Sequence, residues 1–214
     1  MKKLIKFSAL TKFSAVAAAV LAAVGVGMLL LLGGNTSPEF TFVNLGWGFA
    51  LRVLTATIFT VVLTTVYYLI CYRKSGLTMG LTSALGAVVS AVSGFSFCVI
   101  SRASLSDFTF PVMLLGVVLS YITSTIFFRS FGTDRPRGKK QSETEIFETA
   151  ANKAFVPMLI TLLVIALVAV GAFAVALVFK SAVLCLYVLP VILTAIFSVI
   201  FTLSVPLFIY TKKA

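Results

Sequence analysis

The strongest constraint on the fold is a long run, residues 108–128, that holds no charged side chain. Asp107 bounds it on one side and Arg129 on the other. A helix of this length spans roughly 30 Å at about 1.5 Å per residue, which is the thickness of the hydrocarbon core of a bilayer. The run therefore predicts a membrane-spanning helix, and we expect the other helices to pack around it.

Further apolar runs of similar length occur along the whole chain. Hydrophobic residues make up 60% of the sequence and charged residues 11%, and the mean hydropathy is +1.14, whereas soluble domains contain about 25% charged residues. The sequence therefore predicts an all-α polytopic membrane protein, one domain with six transmembrane helices in a bundle. The predicted helices cover about residues 15–32, 49–71, 77–100, 108–128, 154–179 and 182–210.

The first run leaves open whether residues 1–32 are retained or cleaved as a signal peptide. It is longer than the apolar segment of most signal peptides, and no A-x-A-like cleavage site follows at residues 33–37. We therefore expect a retained helix, which packs through a face of small residues. These residues are Ala15, Ala19, Ala23 and Gly27.

The distribution of Lys and Arg predicts the orientation in the membrane. Only Arg52, Arg102 and Lys180 fall on the side opposite to the N-terminus, and the other fourteen of the 17 basic residues fall on the N-terminal side. Since cytoplasmic loops are enriched in Lys and Arg, we expect both termini and residues 129–153 to be cytoplasmic. Basic residues at helix ends also indicate contact with lipid headgroups, rather than with nucleic acid, as the origin of the net charge of +11.

Residues 129–153 form the one long polar segment of the sequence. Its first half is basic and rich in turn-forming residues, and Ser142 with Glu145 three residues later is a capping-box pattern. The pattern predicts a short helix over residues 143–153 that lies along the membrane surface. We expect the next spanning helix to begin at Ala154, with Pro157 near its start.

Two of the predicted helices carry small residues at intervals of four, which places them on one face of each helix. Such faces let membrane helices approach closely, and hydroxyl groups can form hydrogen bonds across the contact. We expect the two faces to meet each other or a partner subunit, and they are the candidate functional face. The residues spaced by four are Gly86, Ser90 and Gly94 on the third helix and Gly116, Ser120 and Ser124 on the fourth, and Thr123 completes the candidate functional face.

The sequence offers little material for catalysis. It contains no His, and all six acidic residues lie in loops or at a helix end. The three Cys residues, Cys71, Cys98 and Cys185, show no metal-ligand spacing, so we expect them to be small buried apolar side chains. We therefore predict no enzyme activity, no catalytic residue, no metal site and no cofactor.

Hydroxyl groups are frequent on the second and fourth helices, and two interpretations stay open. They can bond to carbonyl groups of their own or a neighbouring helix, or they can line a water-filled pathway. The residues are Thr55, Thr57, Thr60, Thr64 and Thr65, followed by Ser120, Thr123, Ser124 and Thr125.

Short motifs in the second half of the chain match one family at the same spacing. Asp107-Phe108-Thr109 opens the fourth helix as an Asp-Leu-Thr-like segment does in that family, and Glu145-Ile146-Phe147 and Leu159-Ile160-Thr161 match its Glu-Ile-Phe and Leu-Ile-Thr. On these motifs and on the order of its segments, the sequence over residues 46–213 resembles SecF, the smaller half of the SecDF factor of bacterial protein export. The family-motif positions are Asp107, Ser124, Pro157 and Thr161.

The sequence also departs from the SecF pattern. The large extracytoplasmic domain of the family is reduced to residues 33–48, Ser124 stands in place of the Asp of helix four, and Pro157 in place of an Arg. The resemblance therefore implies an auxiliary subunit of the bacterial cell membrane that assists protein translocation without its own proton relay. Its implied partners are a SecD-like subunit and the SecY translocon.

Two other functions are compatible with the same residues. The chain could be the membrane subunit of a small-molecule transporter or permease, which predicts a polar path between the second and fourth helices. It could also be a membrane scaffold that transports nothing.

Overall fold

The computed structural model describes residues 14, 16–25, 27, 50–72, 76–101, 103, 109–133, 143–180 and 182–211. These residues form an all-α polytopic membrane protein. Five helices are long and apolar enough to cross a membrane, and a shorter apolar helix precedes them. The helices are α1 (Val16–Gly25), α2 (Ala50–Tyr72), α3 (Gly76–Ile100), α4 (Thr109–Thr133), α5 (Glu143–Val178) and α6 (Ala182–Thr211).

Three helices, α3, α4 and α6, form the centre of the bundle. In an 18-residue stretch of each membrane span, 67%, 50% and 50% of the residues of these helices are buried, against 11% in both α2 and α5. The central helices carry the small residues that permit close contact, whereas α2 and α5 expose branched apolar side chains over most of their circumference. The bundle therefore has a polar, tightly packed centre and an apolar periphery suited to lipid.

Helix α1 contacts α3 through a face that differs from the predicted one. A Cβ atom on Gly25 would lie 2.5 Å from Ser96 Oγ, whereas one on Gly27 would meet nothing within 4 Å. Ala19 and Ala23 are exposed, so the predicted face is wrong for these three residues, and Ala15 lies outside the described residues. Small residues occur on two faces of α1, and the face that contains Gly25 is the one that packs against Ser96 of α3.

Helix α5 is one continuous helix of 36 residues, with Pro157 inside it. The predicted separation between a surface helix over residues 143–153 and a spanning helix from Ala154 is not present. Pro157 removes one backbone N–H donor, but the buried residues Phe147, Ala150 and Ala154 keep the preceding turns packed on the bundle. At about 1.5 Å per residue α5 is roughly 54 Å long, so it extends well beyond one side of a 30 Å hydrocarbon core.

An aromatic cluster holds this extension of α5 against the end of α4. The Phe147 ring centroid lies 4.8 Å from that of Phe127 and 6.3 Å from that of Phe131, and Phe128 contacts Tyr68 of α2 at 5.4 Å. Phe127, Phe128 and Phe147 are almost completely buried. This packing also explains why α4 continues past its predicted end at Phe128 to Thr133.

Candidate functional site: a small-residue interface of three helices

The small-residue faces of α3 and α4 meet each other inside the chain. A Cβ atom on Gly86 would lie 3.0 Å from Ser120 Oγ, and one on Gly116 would lie 2.8 Å from the carbonyl oxygen of Ser90. Because only a glycine hydrogen fits between Gly116 and this carbonyl group, the two helices approach almost backbone to backbone. Of the two arrangements expected from sequence, the structure has the contact within one chain rather than with a partner.

Helix α6 contributes a third face that the sequence analysis did not identify. Thr194, Ser198 and Thr202 follow at intervals of four and are all buried. Thr202 Oγ1 lies 3.0 Å from Ser120 Oγ, at hydrogen-bond distance, and Thr194 packs against both Gly94 and Gly116. The signal in the sequence was the spacing of these three hydroxyl residues by four, within a helix that is otherwise highly apolar.

Most hydroxyl groups at this interface bond to backbone carbonyl groups. Ser198 Oγ donates to the Thr194 carbonyl oxygen at 2.7 Å and approaches that of Gly116 at 3.4 Å. Thr123 Oγ1 donates to the carbonyl oxygen of Leu119 at 2.7 Å and lies 3.1 Å from that of Ser120. These bonds satisfy the hydroxyl groups without water, as a membrane interior requires.

Two hydroxyl groups of the interface are exceptions. Ser90 Oγ and Thr194 Oγ1 are buried and have no hydrogen-bond partner in the part of the chain that the structure describes. Both residues have no exposed surface, so neither hydroxyl group reaches solvent. A buried hydroxyl group without a partner costs about 1–3 kcal/mol. Packing at Gly94 and Gly116 places these polar groups where no partner among the described residues reaches them.

The family-motif positions do not form one site. Ser124 is buried, with 1% of its surface exposed, whereas Pro157 is exposed and Thr161 is half-buried on α5. Thr161 Oγ1 donates to the Pro157 carbonyl oxygen at 3.0 Å. Asp107 lies outside the described residues. Ser124 belongs to the central interface, and the two α5 positions belong to the periphery.

The hydroxyl groups of α2 bond mainly within their own helix. Thr55, Thr60, Thr64 and Thr65 each donate to the carbonyl group four residues earlier, at 2.5–2.8 Å. Between α2 and α4, the hydroxyl group of Tyr121 donates to the carbonyl oxygen of Thr60 at 2.9 Å. Next to this hydrogen bond a small groove lies between the two helices, lined by Thr57 and Thr60 of α2 and by apolar side chains of α4 such as Met113 and Val117.

The three cysteines are free thiols in different environments. Cys98 on α3 is fully buried, as expected, and Cys185 on α6 is half-buried. Cys71 on α2 is exposed, so the prediction that it is buried is wrong. Its helix lies at the periphery, where the side chain faces outward. Among the described residues no group of three or more His, Cys, Asp or Glu side chains could hold a metal ion.

The interface packs three helices against each other through small side chains. Its residues are glycine, serine and threonine, and among the described residues no acidic or basic side chain belongs to it. Comparisons of the chain with family models, with curated proteins and with solved structures found no match.

Proposed function

We propose that this chain is an auxiliary membrane subunit that assists protein export and that it is similar to SecF. It lies in the bacterial cell membrane with both termini on the cytoplasmic side, and it assembles with a SecD-like subunit and the SecY translocon. The resemblance of residues 46–213 supports this proposal, and so does the position of the motif residues on α5.

The observation that carries the proposal is the exposure of α5. This helix holds the Glu145-Ile146-Phe147 and Leu159-Ile160-Thr161 motifs, and in an 18-residue stretch of its span only 11% of the residues are buried within the chain. Its inner face contacts the bundle through Phe147 and Met158. Its outer face, which includes Pro157 and Val164, is free to contact a second membrane protein.

The proposed subunit carries no proton relay of its own. Proton pathways in membrane proteins usually use Asp, Glu or His in the membrane interior. Ser124, which stands at the position of the family's helix-four Asp, is buried among the central helices and has no carboxyl group. A partner subunit would therefore supply the coupling to proton flow, and this chain would supply contact surface.

The central interface is a poor place to test assembly. Ser120 has no exposed surface and contacts Gly86 and Thr202 of the same chain. A bulky variant such as Ser120→Leu would therefore disturb the fold of the subunit before it affected any partner. Variants on the outer face of α5 test the partner directly.

The experiment is photo-crosslinking in native membranes with a photoreactive amino acid at Val164, followed by mild-detergent purification and mass spectrometry. The matched control places the same amino acid at Ala169, which is on the same helix but buried. We expect a SecD-like subunit or SecY to be captured from position 164 and not from position 169. Capture of an ATPase would favour the permease, and absence of any membrane partner would favour the scaffold. Either result would refute the proposal.

A further inference from the structure

A groove of about 240 Å³ lies between α1, α3 and α6. Helix α1 contributes alanines to its wall, α3 contributes mainly valines, and α6 contributes the ring of Phe201, of which 2% is exposed. Since the side chain of alanine is a single methyl group, α1 leaves the space in front of this ring unfilled. The lining residues on which the argument depends are Ala18, Ala22, Val88, Val89, Ser93 and Phe201.

The groove is open on the surface of the bundle and narrows at one end. Val88 and Val92, on the wall that α3 provides, are 37% and 41% exposed, so the open side is apolar. One turn beyond Ser93, Gly25 of α1 meets α3 so closely that a Cβ atom on it would lie 2.5 Å from Ser96 Oγ. The two helices therefore converge at this contact and leave the groove beside it.

The depth of the groove in the membrane decides what can enter it. The membrane span of α3 is Gly76–Ile100, and Val88 is at the midpoint of these 25 residues. Val88 therefore lies near the centre of the hydrocarbon core, which is roughly 30 Å thick. At this depth the medium around the protein consists of acyl chains, and headgroups and water are remote.

The polar side chain of the lining, Ser93, is already bonded within its own helix. Its hydroxyl group donates to the carbonyl oxygen of Val89 at 2.6 Å and lies 3.1 Å from that of Ser90. Toward the groove the described lining residues therefore present methyl groups and an aromatic ring. An apolar cavity of about 150 Å³ stays dry and holds a molecule as large as benzene. The larger groove thus has the surface and the volume for a hydrocarbon segment and disfavours water.

We propose that the groove between α1, α3 and α6 is a binding site for an acyl chain of a membrane phospholipid, which enters from the bilayer and ends near the contact of Gly25 with Ser96. An empty groove would leave its lining atoms without contacts on one side, and a bound chain restores these dispersion contacts. Because the chain touches three helices at once, it joins α1 to the centre of the bundle. The outer faces of α2 and α5 contact lipid from one side, whereas this groove surrounds it.

The test is photo-crosslinking of the full chain in phosphatidylcholine vesicles that include a phosphatidylcholine with a diazirine midway along one acyl chain, followed by mass spectrometry of the labelled residues. We expect labelling of Phe201 and not of Leu119 on α4, although both side chains are 2% exposed. Ala22→Leu should lose most of the labelling at Phe201, because the larger side chain occupies the groove. The control is Ala172→Leu at an exposed position of α5, which should keep it.

Two further measurements keep the proposal falsifiable. If Ala22→Leu does not fold, as judged by far-ultraviolet circular dichroism and size-exclusion chromatography, Ala18→Leu should reduce the labelling of Phe201 in the same way. In a chain whose three native cysteines are replaced by serine, Ala22→Cys should not react with a water-soluble maleimide in the same vesicles.

Three outcomes would each overturn the proposal. The first is equal labelling of Phe201 and Leu119, or no labelling of Phe201, which a side chain of a second copy seated in the groove would cause. The second is labelling of Phe201 that persists in a folded leucine variant of Ala18 or Ala22. The third is reaction of the Ala22→Cys thiol with the maleimide, which would show that the groove holds water.

Discussion

Gly116 is the position at which the packing of α3 and α4 can be tested most directly. In Gly116→Ala the new Cβ would lie 2.8 Å from the carbonyl oxygen of Ser90 and 3.0 Å from Cγ2 of Thr194. Ordinary carbon–oxygen contacts between helices are about 3.3–3.6 Å. The backbone of α3 cannot rotate away as a side chain can, so the two helices must separate by about half an ångström.

The magnitude follows from two opposing effects. Overpacking of this kind costs about 1–3 kcal/mol, and replacing glycine by alanine in a helix gains up to about 1 kcal/mol. We therefore expect Gly116→Ala to be destabilised by about 1–2 kcal/mol. The matched control is Gly171→Ala on α5, where a Cβ atom would meet nothing within 4 Å. This variant should keep or slightly raise stability.

The assay uses the buried thiol of Cys98 as a reporter of unfolding. In a background with Cys71→Ser and Cys185→Ser, Cys98 is the only thiol and is fully buried in α3. A fluorogenic maleimide added during heating then reports the opening of the bundle. For a chain of this size, each kcal/mol corresponds to about 2–4 °C in Tm. If Gly116→Ala melts at or above the temperature of Gly171→Ala, the account of the α3–α4 contact is wrong.

Three further predictions can be checked with the same reporter or with hydrogen exchange. Thr194→Val removes a buried hydroxyl group for which the described part of the chain offers no partner, so it should raise the free energy of unfolding by about 1 kcal/mol. Thr202→Val removes the partner of Ser120 and should lower it by about the same amount, so equal effects of the two variants on Tm would contradict this. Lys180→Gly should raise the free energy of unfolding by about 0.5–1 kcal/mol. Lys180 has a φ of 52° in the turn after α5, and glycine adopts this conformation without steric cost. A lower Tm of the variant would argue against this prediction. Phe147→Ala should lower the free energy of unfolding by about 3 kcal/mol and speed hydrogen exchange over residues 143–153, because the ring is buried against α4. The control Val156→Ala changes an exposed residue of the same helix and should alter exchange little. Equal exchange in the two variants would show that the aromatic cluster does not hold the extension of α5.

Local signals were sufficient to predict the class of the protein and most helix positions. The long uncharged runs predicted the spans of α2, α3, α4 and α6 to within a few residues at most ends, because a bilayer requires a minimum apolar length and excludes charge. Residue spacing also identified the small-residue faces of α3 and α4. These properties are set by each segment alone, so a sequence is enough to find them.

Only the tertiary structure decided which surfaces are buried. In the structure Gly116 packs against Ser90 of the same chain, and Thr194 of α6 contacts Gly116 as well. On α1 the buried glycine is Gly25, and on α2 the Cys71 side chain is exposed at the periphery. In a soluble protein a hydrophobic face predicts burial, but lipid is as apolar as leucine and provides no such preference. Which face of each helix is buried depends on the shape of residues distant in the sequence, and a single segment does not contain that information.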